Sequence, residues 1–113
     1  MLIFCSGPYS AESLWLVALN LERARSAAAE VLLAGHTPIC PHLITAYLDI
    51  DPKFQGWSHE DWLTRFCYPL IDACDAVYLY PTWETSKGAR KERDYAMQQG
   101  KVILLSMSDL GKG

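Results

Sequence analysis

Ser86, Gly88 and Glu92 are spaced to do chemistry together, in the run Ser86-Lys-Gly88-Ala-Arg-Lys-Glu92. A serine that opens a helix caps free backbone N–H groups, and those groups with the helix dipole favour an anion. A glycine at position 88 lets backbone or ligand approach closely. Glu92 follows four residues later, so both lie on one face of the helix, with a carboxylate below the anion-favouring end. The same letters also describe a plain capped surface helix whose solvated face is Lys87, Arg90, Lys91, Arg93 and Asp94. Spacing alone favours that plainer reading, so the flanking elements must decide.

Those elements read as α/β. Asp75-Ala-Val-Tyr-Leu-Tyr80 is a short apolar run rich in β-formers, ended by Pro81 and a polar turn to Lys87. A helix runs from about Ser86 to Gln99, Gly100 stops it, and Lys101 to Leu105 is a second buried strand. A strand, a crossover helix and a parallel strand make a right-handed unit whose ligands sit at the carboxyl ends of the strands. Thr82 to Glu92 therefore lies at the mouth of the expected site.

Upstream, Leu2 to Ser6 is the first strand and Gly7-Pro8 its turn. From Ala11 the pattern is helical, with Leu14, Val17, Ala18, Leu21, Ala24, Ala28, Val31 and Leu32 facing inward, Glu22, Arg23, Arg25 and Glu30 outward, and Gly35 at the end. Thr37 to Cys40 is a short strand, Pro41 to Leu48 a brief helical turn and Asp49 to Trp57 a loop. The capping box Ser58-His-Glu-Asp61 opens another helix, which Pro69 kinks or splits before Ala73. Ser106 to Gly113 reads as a polar tail. The alternation predicts one domain over 1–113, Rossmann-like or flavodoxin-like, with three layers and a mostly parallel sheet of about four to five strands.

A formal charge of −3 argues against duplex nucleic acid as a partner, because neutralising phosphates needs a basic face. No run of about 18 apolar residues suggests a membrane span. The start Met1-Leu-Ile-Phe-Cys enters a strand without a basic leader region, so the expected setting is cytoplasmic. Four cysteines, at 5, 40, 67 and 74, form no Cys-x-x-Cys pair and read as small hydrophobes packed beside strands. Cys40-Pro-His42 offers two metal ligands with no second pair, so no metal site is expected.

From Ile3 to Leu105 the chain resembles the nucleoside 2-deoxyribosyltransferase-like superfamily, which includes 2′-deoxynucleoside 5′-phosphate N-hydrolases and many short phage-encoded relatives. Ser86, Gly88 and Glu92 carry that resemblance, together with Trp83, Ala89 and the turn Ile3-Phe-Cys-Ser6-Gly7-Pro8-Tyr9. Thr82 stands where the short relatives usually carry glycine. The resemblance implies that Glu92 is a nucleophile toward C1′ of a bound ribose. Ser6, Gly7, Tyr9, His42, Trp83, Ser86, Gly88 and Arg90 then bind the substrate, a nucleoside 5′-monophosphate or a close relative. His42 also reads as a histidine that hydrogen-bonds a loop, and Tyr9 as a half-buried tyrosine. Trp57 and Trp62 offer further aromatic walls, Trp62 reading first as core or interface with Phe66. His36 and His59 read as surface residues.

Several positions depart from the family. Phe4 has no hydroxyl where family enzymes carry a tyrosine. Cys67 stands where they carry the aspartate that helps to protonate the departing base, with Asp61 and Asp72 as substitutes, and Arg90 replaces a second glycine. The implied function is N-glycosidic cleavage or deoxyribosyl transfer, which needs no metal or organic cofactor. The alternative is a non-catalytic nucleotide-binding module, a sensor or sponge, and a third reading is an interaction protein that kept only the fold. The family often completes its sites across subunits, so a homo-oligomer is implied.

Overall fold

Apolar side chains alternate along the two central strands and feed two separate cores. In the computed structural model, which describes residues 1–9, 13–46, 48 and 50–110, β1 (Leu2–Ser6) and β3 (Ala76–Leu79) lie side by side between β2 (Thr37–Ile39) and β4 (Val102–Leu104). The strand order is β2-β1-β3-β4 and every pairing is parallel. Ile3, Cys5, Ala76, Tyr78 and Tyr80 point to one face and pack on Ala24, Ala27 and Val31 of α1 (Leu14–Leu33). Phe4, Val77 and Leu79 point to the other. There they meet Leu63, Cys67, Ile71 and Ala96, from the helical segment before β3 and from α5 (Lys87–Gln98). Burying each large aliphatic or aromatic side chain contributes roughly 1.5–3 kcal/mol. The result is a three-layer α/β fold with helices on both faces, as the alternation of elements predicts.

Connection to β2 runs through α1 on one face, and connection to β4 runs through α5 on the other. The winding therefore reverses between β1 and β3, and that switch point leaves a crevice beyond their carboxyl ends. Both long helices end in the same closure. Gly35 (φ 89°) and Gly100 (φ 73°) adopt the left-handed conformation. Behind them His36 N–H reaches Val31 O and Lys101 N–H reaches Ala96 O, both at 3.0 Å.

Between β2 and β3 come α2 (Pro41–Ile44), a 3-10 turn (Pro52–Phe54), α3 (His59–Trp62), a π turn (Leu63–Cys67) and α4 (Tyr68–Ala73). Ser58 and Asp61 form the expected capping box. The helix after it changes register rather than simply kinking. Pro69 has no N–H to return to the carbonyl four residues back, and just before it Tyr68 N–H reaches five residues back to Leu63 O.

Three further expectations need correction. The inward face of α1 is Asn20, Ala24, Ala27 and Val31, whereas Leu14 is 81% exposed and Leu32 61%. The tail after β4 is not simply polar: Met107 and Leu110 pack on the α1-side core, held by a 3-10 turn (Met107–Asp109) whose Asp109 accepts from Ser106 N–H at 3.2 Å. Trp62 does meet Phe66, with ring centroids 6.4 Å apart, but it is half-buried rather than core and also joins Phe54 and Trp57 at about 5 Å. The expected helix start at Ala11, the loop start at Asp49 and the final residues 111–113 lie outside the described residues. Among those described, no helix is long and apolar enough to cross a membrane.

Two backbone positions at the crevice carry steric consequences. A Cβ on Gly7 would sit 2.1 Å from the buried Tyr80 ring, so only glycine fits there. Thr82, at φ 75° and ψ 9°, holds the left-handed conformation without being glycine, a strain of roughly 1–2 kcal/mol. Thr82→Gly is expected to stabilise the fold by roughly 0.5–1 kcal/mol, since the flexibility glycine adds to the unfolded chain offsets part of the relief. Gly7→Ala is expected to destabilise it by about 3 kcal/mol or more. Urea unfolding of the two variants beside wild type checks both signs, and a stabilising Gly7→Ala or a destabilising Thr82→Gly would contradict the geometry.

Candidate active site

The crevice opens into a cavity of about 1080 Å³. One wall comes from the end of β1 and its neighbours: Gly7, Pro8 and Tyr9, then Leu16, Leu19, Asn20 and Arg23 of α1, and Pro41, His42 and Thr45. Hydrogen bonds knit this wall together. His42 Nε2–H donates to Gly7 O at 2.7 Å, and since a carbonyl can only accept, the proton is on Nε2. The His42 and Tyr9 rings lie 5.0 Å apart, tilted by 30°. Asn20 donates to Tyr9 O at 3.1 Å and accepts from Arg23 at 3.3 Å. Asn20 is among the buried polar side chains of the described residues, and no sequence signal pointed to it, because the buried stripe of α1 is not the one its apolar spacing predicts.

The opposite wall is the segment Ser58, His59, Glu60, Trp62, Leu63, Phe66 and Cys67. Its contact with α5 explains Gly88. A Cβ there would lie 3.2 Å from Cε1 and Nε2 of His59, so the imidazole rests on the first turn of α5. His59 is exposed, as the sequence suggests, but it lines the cavity. Nothing local in sequence announces that, because its neighbour is 29 residues away. Lys91 also bridges to Glu60 at 3.3 Å, tying the wall to the helix.

The base of the cavity is α5 and the turn before it. Ser86 is the N-cap, its Oγ accepting from Ala89 N–H at 3.1 Å. The first intrahelical bond is Arg90 N–H to Ser86 O at 3.1 Å. The N–H groups of Lys87 and Gly88 thus precede the helical ladder, at the positive end of the dipole. Glu92 comes five residues after Lys87, about 7.5 Å further along the axis at 1.5 Å per residue. It is only 3% exposed yet lines the cavity.

Glu92 is the electrostatic centre of the site. Burial pushes its carboxyl up to about 7, against hydrogen bonds from Ser6 and Cys67 that favour the charged form. Ser6 Oγ–H donates to Glu92 Oε1 at 2.6 Å. Burial also raises the Cys67 thiol, and the adjacent Glu92 charge adds to the effect. Of the sequence candidates, Gly7, Tyr9, His42, Ser86, Gly88 and Glu92 line the cavity together. Ser6 is fully buried behind Glu92 and is not part of the lining.

Trp83 and Arg90 are not part of the lining either. Trp83 packs on the core shared by α4 and α5, with the Arg93 guanidinium 5.1 Å from its ring centroid. Arg90 is exposed, two residues and about 200° round the helix from Gly88. Asp61 is used in its capping box and Asp72 accepts from Tyr95 OH at 2.8 Å, and neither lines the cavity. Among the described residues no group of three His, Cys, Asp or Glu side chains is placed to hold a metal ion.

Comparison with known proteins agrees with this geometry at the level of fold. A family described as a domain of unknown function, DUF4406, matches residues 3–105. Among solved structures the chain is similar to the Clostridium botulinum CMP N-glycosidase BcmB, with a TM-score of 0.56 and 16% identity. The match covers 91% of this chain and 66% of that one, so the chain spans about two thirds of that enzyme's length. At this identity the likeness shows a shared fold. No curated protein matches the chain by sequence.

A carboxyl raised by burial has a thermodynamic signature. With a folded value near 7 against an ordinary 4.5, the native state holds its proton more tightly than the unfolded state. Stability from this group is then full at low pH and is lost as pH rises through about 7. Glu92→Gln removes the titration. The stability of this variant relative to wild type should grow between pH 5 and 8 by on the order of 3 kcal/mol and level off above. Chemical unfolding of both proteins across that range checks it, and a constant difference would show that Glu92 ionises normally.

Proposed function

The chain belongs to the DUF4406 family, and on that premise we propose that it cleaves or exchanges the N-glycosidic bond of a nucleoside 5′-monophosphate, with Glu92 as nucleophile. One observation carries the reading: a buried carboxylate at a cavity wall, hydrogen-bonded from behind and set below a capped helix N-terminus. The sequence resemblance to the deoxyribosyltransferase-like superfamily and its short phage-type relatives supports it. So does the shared fold with an enzyme described as a CMP N-glycosidase.

In this reading the phosphate sits at the head of α5, against Ser86 and the Lys87 and Gly88 N–H groups, with the Lys87 side chain at hand. Tyr9 and His42 shape the sugar and base pocket, while Trp62 and Phe66 form the facing wall. A Glu92 oxygen attacks C1′ on the face opposite the base. The C1′–N bond breaks, its electron pair leaves on the base nitrogen, and the base takes up a proton. Water or a second base then attacks C1′ of the glycosyl ester and frees Glu92, the two-step course of retaining glycosidases. On the facing wall His59 and Glu60 are the groups able to give the proton. The exposed Leu14, Trp15 and Leu33 of α1 fit the homo-oligomer that belongs to the same reading, in a cytoplasmic setting.

A non-catalytic nucleotide-binding module is the second reading. Cys67 favours it, because a thiol raised by burial stands beside Glu92 where family enzymes carry an acid.

A panel of nucleoside monophosphates, followed by chromatography for free base, tests the choice. Wild type is expected to release base from at least one member, and Glu92→Gln to keep binding while losing release by about a thousandfold or more, because an amide cannot form the ester. Calorimetry is expected to show tighter binding of that monophosphate than of its nucleoside. Binding without release by wild type would favour the module; equal affinity for the nucleoside would remove the phosphate from the head of α5.

A further inference from the structure

We propose that Ser6 is a positioning residue for Glu92 rather than a ligand contact: its hydroxyl, with the Cys67 thiol, fixes the carboxylate at the cavity wall. The proposal rests on the glycosidic reading for its purpose, but the bond itself can be tested without turnover. Ser6 ends β1, fully buried, and does not line the cavity, whereas Glu92 does. Its backbone is held by the sheet, in register with Leu79, with Tyr80 N–H donating to Ser6 O at 3.1 Å. The hydroxyl therefore stands on a rigid support 2.6 Å from Oε1.

Rotation of a carboxylate about its last bond is otherwise soft, and a fixed donor to one oxygen sets its plane. A neutral donor also suits a nucleophile. It favours the ionised form without the large drop in basicity that a buried cation would bring. Cys67, from the π turn on the facing wall, adds a weaker thiol donor. Ser6 shares the Phe4 face of β1, the face whose core contains Cys67, so Glu92 is held between the sheet and the segment before β3.

Other titratable groups near Glu92 are Cys67, Tyr68, Tyr80 and Cys40. Burial raises the first three, which keep their protons at neutral pH. Cys40 is lowered by its hydrogen bond with Cys5, at the end of β2. His59, Glu60 and Lys91 share the cavity with Glu92. The Glu92 titration is therefore read as a difference, by repeating each measurement in a Glu92→Gln background.

The test compares wild type with Ser6→Ala and Ser6→Thr in two measurements. In the first, the pH midpoint of the Glu92-dependent change in unfolding stability is expected to rise by about one unit in Ser6→Ala. Ser6→Thr, which keeps the hydroxyl, should recover most of that shift. In the second, kcat for base release at pH 7 should fall at least about fivefold in Ser6→Ala from the smaller ionised fraction alone, with KM for the monophosphate changed by less than about twofold. If Ser6→Ala does not fold, Ser6→Cys should give a smaller rise in the same midpoint. An unmoved midpoint would overturn the proposal, and so would a raised KM with unchanged kcat, which marks a ligand contact. If wild type releases no base, the unfolding midpoint alone decides the Ser6–Glu92 bond, and the loss falls on the glycosidic reading.

Discussion

The hydrogen bond from Ser6 to Glu92 joins residues 86 positions apart in sequence and ties the first strand to the last helix. It exists because a parallel sheet with its switch point between β1 and β3 brings the end of β1 beside the helix that follows β3. A buried carboxylate without a partner is among the more destabilising groups a core can contain. Here Ser6 and Cys67 offset part of that penalty and leave the rest as a raised carboxyl. That remainder is what makes Glu92 chemically interesting: buried enough to be basic, ordered enough to be aimed, and still at the cavity wall.

Around this centre the site is assembled from elements with separate reasons to be where they are. Gly7 lets β1 turn over the Tyr80 ring, and Gly88 lets α5 pass under His59. Each glycine is explained by an aromatic or imidazole ring distant in sequence. Thr82 accepts a left-handed conformation in the turn that leads to the Ser86 cap, a strain placed beside the cavity, where functional sites commonly hold it. The Lys91–Glu60 bridge is exposed and contributes little to stability on its own, but it marks the seam where the wall of residues 58–67 meets α5 at the base.

Much of this was legible in the chain wherever the determinant is local. β1, β3 and α5 follow from apolar runs and punctuation, and the ends of α1 and α5 follow from Gly35 and Gly100. The phase of α1 was not legible. An alanine-rich helix offers two neighbouring stripes, and the buried one contains Asn20, which breaks an apolar pattern because it serves the Tyr9 loop. The π turn escaped because a register change depends on packing around Pro69 as well as on the proline itself. Trp83 sits in the right segment, but Arg93 and the second core take its ring. His59 became part of the site only through its long-range contact with Gly88.

As the proposed nucleophile, Glu92 forms a covalent bond to the sugar in the first step. That bond is tested most directly by incubating the protein with a 2′-fluoro nucleoside monophosphate, whose fluorine slows hydrolysis of a glycosyl ester, and measuring the intact mass and peptide map. A nucleophilic Glu92 is expected to gain the mass of one fluorinated pentose phosphate. Base release from the unmodified nucleotide without any such adduct, or with the adduct on another residue, would contradict it.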